Sequence, residues 1–152
     1  MENSEAAIMH RPDNVSKIAT IVGLVLEGLS LVMSFLGVLF ISWLRRADME
    51  FFYNLDPDFP EEFFEFLSPV LSIAFIVSVV MTVLLTIIFV VNVILFSKLL
   101  RNRFQTSHSK RVYIYQIIWG AINLLMNQLV GLAYLISGIN GQSSLSRTTD
   151  KE

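Results

Sequence analysis

Cysteine is absent from the 152 residues, which excludes disulfides, thiolate metal sites and a cysteine nucleophile. Histidine is scarce: His10 and His108 stand far apart, so no paired-histidine metal motif exists. Charged residues make up only 16% of the chain, and they gather in a few short stretches. No Lys, Arg or His occurs in residues 18–44, 67–97 or 112–139, and the only acid in those three runs is Glu27. The net charge is −2, which gives no electrostatic footprint for nucleic acid. A catalytic Ser/His/Asp set, an HExxH pattern and a glycine-rich phosphate loop are also missing. These absences point away from an enzyme and from bound metals or cofactors.

What remains is apolar. Hydrophobic residues reach 54% and the mean hydropathy is +0.62. The segregation of charge from these long runs, more than the percentage, places the chain in the membrane class. Segment 1–17 is polar and ends with Asp13 or Asn14 as a helix N-cap. Residues 18–44 form the first predicted span, roughly 40 Å as a helix and ample for a ~30 Å hydrocarbon core. The run is too long for a signal peptide and no small-x-small cleavage site follows it.

Residues 45–66 form an acidic, aromatic loop, and residues 67–97 the second span. Pro69 lies near the start of that span, where a helix tolerates proline best. Residues 98–111 are a basic loop without an acid, 112–139 the third span, and 140–152 a Ser/Thr-rich tail expected to be disordered. Gly138, Asn140 and Gly141 read as stop signals for the third span. The expected fold is an all-α membrane protein, with three transmembrane helices in a small bundle. A short interfacial helix is expected in the first loop, capped by Asp58 with Pro60 at its first position.

Lys and Arg near the span ends set orientation. With the N-terminus in the cytoplasm, the inside carries Arg11, Lys17, Lys98, Arg101, Arg103, Lys110 and Arg111; the outside carries Arg45, Arg46, Arg147 and Lys151. The bias favours a plasma-membrane protein with N-terminus in and C-terminus out. Arg101, Arg103, Lys110 and Arg111 would then meet anionic lipid headgroups.

Within the runs, polar and small residues recur at helical spacing. Ser16, Thr20, Gly23, Glu27, Ser30, Ser34 and Gly37 share one face of the first span. Gln116, Gly120, Asn123, Asn127, Gly131, Tyr134 and Gly138 share one face of the third. Ala74, Ser78, Thr82, Thr86 and Asn92 do so on the second. Small and hydroxylated stripes permit close helix packing where lipid removes the hydrophobic drive between helices. Counting the rise per residue, Glu27, Thr86 and Asn123 come out near mid-membrane, with Thr82 and Asn127 one turn further out.

A carboxyl at that depth is a functional candidate by default. It has no cation in its own spans, so three roles are open. As a neutral group it would donate to Asn123 or a hydroxyl and act as interhelical glue. It would otherwise pair with a basic residue of a partner, or handle protons or cations in an oligomer.

The first loop carries Asp56, Asp58, Glu61, Glu62 and Glu65 among phenylalanines. Carboxylates suit calcium, but the spacing matches no calcium loop, and a lid or partner contact fits better. Ile18-Ala19-Thr20-Ile21-Val22-Gly23-Leu24-Val25-Leu26-Glu27-Gly28 and Leu132-Ala133-Tyr134-Leu135-Ile136-Ser137-Gly138 resemble stretches of small uncharacterised multi-span membrane proteins of Gram-positive bacteria, a domain-of-unknown-function family. That resemblance implies a bacterial membrane location and no known activity.

The leading expectation is a non-enzymatic accessory or interaction subunit, with the lipid bilayer and another membrane protein, or itself as a homo-oligomer, as partners. Two alternatives stand beside it. One is a homo-oligomeric channel or proton- or cation-coupled transporter using Glu27. The other is an immunity or stress protein that recognises an external ligand through the acidic loop.

Overall fold

The computed structural model describes residues 10–46, 49–55 and 60–149. Among them there is no strand, and five helices follow in order: α1 (Asn14–Arg46), α2 (Met49–Leu55), α3 (Glu61–Leu100), α4 (Thr106–Met126) and α5 (Gln128–Thr149). The helices α1 and α3 are long and apolar enough to cross a membrane.

Local chemistry sets the helix ends. The Asp13 carboxylate accepts the backbone N–H of Ser16 at 3.4 Å and so caps α1. At the end of α3, Asn102 adopts φ 54°, a left-handed conformation that Asn tolerates better than most residues. Its N–H bonds the Leu99 carbonyl and that of Arg103 bonds the Lys98 carbonyl, both at 3.1 Å. This is the paired-carbonyl stop of a Schellman motif.

Three sequence expectations are corrected. Residues 112–139 are not one helix, because the chain breaks at Asn127, whose φ of −146° and ψ of 92° are extended. The cause is a residue that caps both neighbours. The N–H of Asn127 bonds the Asn123 carbonyl at 2.6 Å to end α4. Its side-chain Oδ1 accepts the Val130 N–H at 3.4 Å to start α5. Second, the tail is helical through Thr149. Gly138 and Gly141 do not stop α5 but admit α4 side chains against it: a methyl at Gly138 would lie 2.6 Å from the Ile117 side chain, and one at Gly141 would overlap the Tyr113 ring. Third, the helix expected from Pro60, which leads into the second span, is not a short element of its own but continuous with that span. The N–H groups of Phe63 and Phe64 bond the Pro60 carbonyl at 3.1 and 3.3 Å, so the segment opens α3, and Pro69 falls inside that helix. The only separate short helix among the described residues is α2. Asp56 and Asp58 lie outside the described residues.

The chain divides into two compact units, residues 1–28 with 89–152 and residues 29–88. In the first, the N-terminal part of α1, the C-terminal part of α3, α4 and α5 pack together. The helices α4 and α5 form an antiparallel hairpin whose backbones nearly touch. A methyl built on Gly131 would lie 2.5 Å from the Leu124 nitrogen and 2.7 Å from the Gly120 carbonyl oxygen. In the second unit, the Ser34 and Thr82 hydroxyls bond at 2.7 Å. An aromatic cluster runs from Trp43 through Phe51 and Phe52 to Phe64, with ring centroids 5.4 to 5.6 Å apart. The Arg45 guanidinium lies 4.6 Å from the centre of the Phe75 ring.

Candidate functional site

The first unit has a polar interior in three successive layers, and helical periodicity builds each one. At the N-terminal end, His10 Nε2 lies 3.1 Å from the Tyr113 hydroxyl. Its backbone N–H donates to the Phe104 carbonyl at 3.3 Å. His10 is 7% exposed. Burial pushes its imidazole below the usual histidine range, partly offset by the Asp13 carboxylate.

Two turns along, Ser16, Thr20, Gln116 and Ser137 are fully buried. The hydroxyls of Thr20 and Ser137 lie 2.6 Å apart. Gln116 donates its amide to Thr20 Oγ1 at 3.1 Å, and its carbonyl oxygen accepts from Ser137 at 2.9 Å. The Ser16 hydroxyl reaches the Ser137 carbonyl at 3.0 Å. The spacing of Ser16 and Thr20 puts both on one face of α1, so α1, α4 and α5 are joined through one compact ring of side chains. Such a ring holds because each member is satisfied by the others.

The third layer centres on Glu27. Its Oε1 accepts the Asn92 amide at 2.8 Å and the Trp119 indole N–H at 3.1 Å. Its Oε2 accepts the Tyr134 hydroxyl at 2.5 Å. The Tyr115 hydroxyl donates to Asn92 Oδ1 at 2.6 Å, which orients that amide with its N–H groups toward the carboxylate. Every donor is neutral. One carboxylate in α1 therefore binds α3, α4 and α5 together. Gly23, one turn earlier, leaves room for Tyr134: a methyl there would lie 2.5 Å from the ring.

The expected cluster of Glu27, Thr82, Thr86, Asn123 and Asn127 is not what surrounds this carboxyl. Asn123 donates to the Trp119 carbonyl at 2.9 Å, Asn127 caps the hairpin turn, and Thr86 bonds the Thr82 carbonyl at 2.7 Å. Sequence reasoning placed Tyr134 on the polar face of the third run without linking it to Glu27, and did not single out Trp119 or Tyr115. The available signal was chemical, since a buried Tyr or Trp must place its O–H or N–H somewhere. Asn92 stood on the predicted stripe of the second span without being linked to Glu27.

Of the expected packing residues, Thr20, Gly23, Gly120, Gly131 and Gly138 are buried. Ser30 and Ser34 are half-buried. Gly37 is half-buried, but a methyl there would meet no atom of the described residues within 4 Å. Glu62 and Glu65 are exposed, as are Arg101, Arg103, Lys110 and Arg111; the Glu61 side chain lies outside the described residues. No cluster of His, Asp or Glu able to hold a metal occurs among the described residues.

Comparison with protein-family models, characterised proteins and solved structures finds no match.

Proposed function

We propose that the chain is an integral membrane protein in which α1 and α3 span the bilayer and α4–α5 enters it as a re-entrant hairpin. We assign it a non-enzymatic accessory or interaction role. The observation that carries this reading is the first unit's apolar exterior around an interior that is partly polar, beside a buried apolar cluster of Phe96, Leu99, Val112, Val130 and Leu145. The unit's buried side chains include Ser16, Thr20, Asn92, Gln116, Asn123 and Ser137, while Ile18, Val22, Val25, Ile118, Ile122, Leu125, Leu132 and Ile136 are exposed. A water-soluble bundle buries the second set. In hydrocarbon the arrangement is favourable, because polar groups unable to reach water satisfy one another inside.

The hairpin is too short in its apolar part to cross. From Val112 to Asn127 a helix rises ~22 Å, against a ~30 Å core. Exposed apolar side chains, Leu125 at 91% with Met126 and Leu129, flank the polar turn at Asn127–Gln128, which suits insertion. The fold-back returns Arg147, near the end of α5, to the end of the first unit that carries Arg11 and Lys17. With a re-entrant hairpin, Arg147 joins the positive charges of the N-terminal side, which supports the Lys/Arg bias for a cytoplasmic N-terminus with the end of α5 on that same side.

Glu27 is spent on holding helices. Three neutral donors occupy its oxygens, which favours the accessory role over a titrating group on a wet transport axis. The test is reconstitution of wild type and Glu27→Gln in nanodiscs and liposomes, after carbonate extraction of native membranes. The reading expects carbonate-resistant protein, no proton or cation flux from either form, and co-purification of a larger membrane protein. Flux abolished by Glu27→Gln would transfer the assignment to a homo-oligomeric transporter.

A further inference from the structure

The short segment that leads into α1 is held down by one side chain. His10 is buried and reaches two elements at once. Its backbone N–H donates to the Phe104 carbonyl at 3.3 Å, in the connection between α3 and α4. Its Nε2 lies 3.1 Å from the hydroxyl of Tyr113 in α4, and the two rings meet edge to face, with centroids 5.6 Å apart at 87°. Tyr113 is itself fully buried and is backed by Gly141, where a methyl would overlap its ring. The seat that receives His10 is therefore rigid. Pro12 is buried while Arg11 is exposed, and the fixed φ of proline stiffens the link from His10 to the Asp13 cap. Residues 10–13 form a strap that His10 fastens onto the first unit.

We propose that this strap is a proton-operated latch: it lies closed on Tyr113 and Phe104 while His10 is neutral, and protonation of His10 opens it with the helices still folded. A hydroxyl suits a neutral imidazole, because it can donate to the bare nitrogen or accept from the N–H. A buried seat disfavours the cation, since the charge leaves water behind. Among the described residues, the titratable groups that act on His10 are the Asp13 carboxylate at the start of α1 and the Tyr113 phenol of α4. Asp13 favours the cation, and burial outweighs it. The α3–α4 connection brings the Phe104 backbone carbonyl to His10; His108, which stacks on the Phe104 ring at 6.3 Å, is exposed. Opening returns the imidazole to water, where it takes a proton near pH 6.5. Protons thus bind the open form in preference, and each pH unit below 6.5 shifts the latch toward open by up to about tenfold. Two hydrogen bonds and one ring contact hold His10, so opening is a local event that costs less than unfolding the helices. The latch rests on the geometry of the first unit alone and is independent of the membrane reading.

The experiment places a nitroxide on Arg11→Cys in the full chain in detergent, which the absence of native cysteine makes site-specific. Its mobility is followed from about pH 8 to about pH 5.5, above the ordinary carboxylate range. An immobile label is expected at high pH, with a mobile fraction that grows below pH 6.5 while helical circular dichroism stays constant. His10→Gln should abolish that growth, and His108→Gln should leave it unchanged. Asp13→Asn keeps a helix cap but removes the counter-charge of the seated imidazolium, so the mobile fraction at about pH 5.5 should rise about threefold or more. A label whose mobility ignores pH overturns the latch. So does a titration that survives His10→Gln or vanishes in His108→Gln, or a mobile fraction that appears only as the helices unfold. Should His10→Gln leave the strap mobile at every pH, Asp13→Asn decides, and an unchanged titration in that variant overturns the latch as well.

Discussion

The hydroxyl of Tyr134 donates to Oε2 of Glu27 at 2.5 Å, and this bond ties the hairpin's second arm to the first helix of the chain. With Asn92 and Trp119 on Oε1, it makes Glu27 the point where four helical segments meet. Replacing Glu27 with Leu leaves the buried Asn92 and Tyr134 and the half-buried Trp119 without their acceptor. At the modest net worth of side-chain hydrogen bonds between helices plus the desolvation left behind, the loss is about 2–4 kcal/mol. Glu27→Gln keeps an acceptor for Asn92 and Trp119, and the Tyr134 hydroxyl can rotate to accept from its amide, so that variant should lose much less. Thermal unfolding in detergent checks the order, and equal losses would contradict it.

Gly131 and Gly120 face each other across the hairpin at backbone contact. Alanine at Gly131 would press its methyl on the Leu124 nitrogen and the Gly120 carbonyl oxygen, which cannot swing aside as a side chain can. We expect Gly131→Ala to separate α4 from α5 and lower the unfolding midpoint. Gly37→Ala meets nothing within 4 Å and should be neutral, or stabilising by up to about 1 kcal/mol through helix propensity. A midpoint lowered by both variants alike would refute the contrast.

His10 predicts a pH dependence with a definite sign. Burial lowers its pKa from 6.5, so the folded chain holds it neutral where the unfolded chain protonates. Above pH 6.5 both states carry it neutral and stability does not depend on it. As pH falls below 6.5 the unfolded state binds the proton first, and stability declines until the folded-state pKa is passed. His10→Gln should remove that part of the acid sensitivity in pH-dependent unfolding. An unchanged profile would show that His10 is not its source.

Ser109 is fully buried and its hydroxyl has no hydrogen-bond partner among the described residues. An unsatisfied buried polar group is a standing penalty of about 1–3 kcal/mol. Ser109→Ala should therefore be neutral or stabilising, in contrast to Ser137→Ala, which removes a hydroxyl that Thr20 and Gln116 both use and should destabilise. Unfolding midpoints of the two variants settle the comparison.

The helical class and two apolar runs long enough to span were legible because hydropathy and charge segregation are properties of sequence alone. The Asp13 cap was legible from its place before the first run. The division at Asn127 was not, because an asparagine inside an apolar run is compatible with interhelical bonding or with a double cap. Only the fold-back of Gly131 onto Gly120 selects the second. The same small residues that suggested packing between spans serve packing within the hairpin. The partners of Glu27 were illegible for a related reason: once residues 112–139 fold back, Trp119 and Tyr134 converge on one carboxylate from two arms that a straight helix would keep apart.

Topology tests the central claim most directly, and the lack of native cysteine makes the measurement clean. Single cysteines replace Arg11 and Arg147, and a membrane-impermeant maleimide is applied to right-side-out vesicles before and after permeabilisation. The account predicts that both positions label only after permeabilisation, since on the proposed topology a re-entrant hairpin returns the end of α5 to the side of residue 11. Labelling of position 147 in sealed vesicles, with position 11 protected, would mean that residues 112–139 cross as one span and would contradict the account.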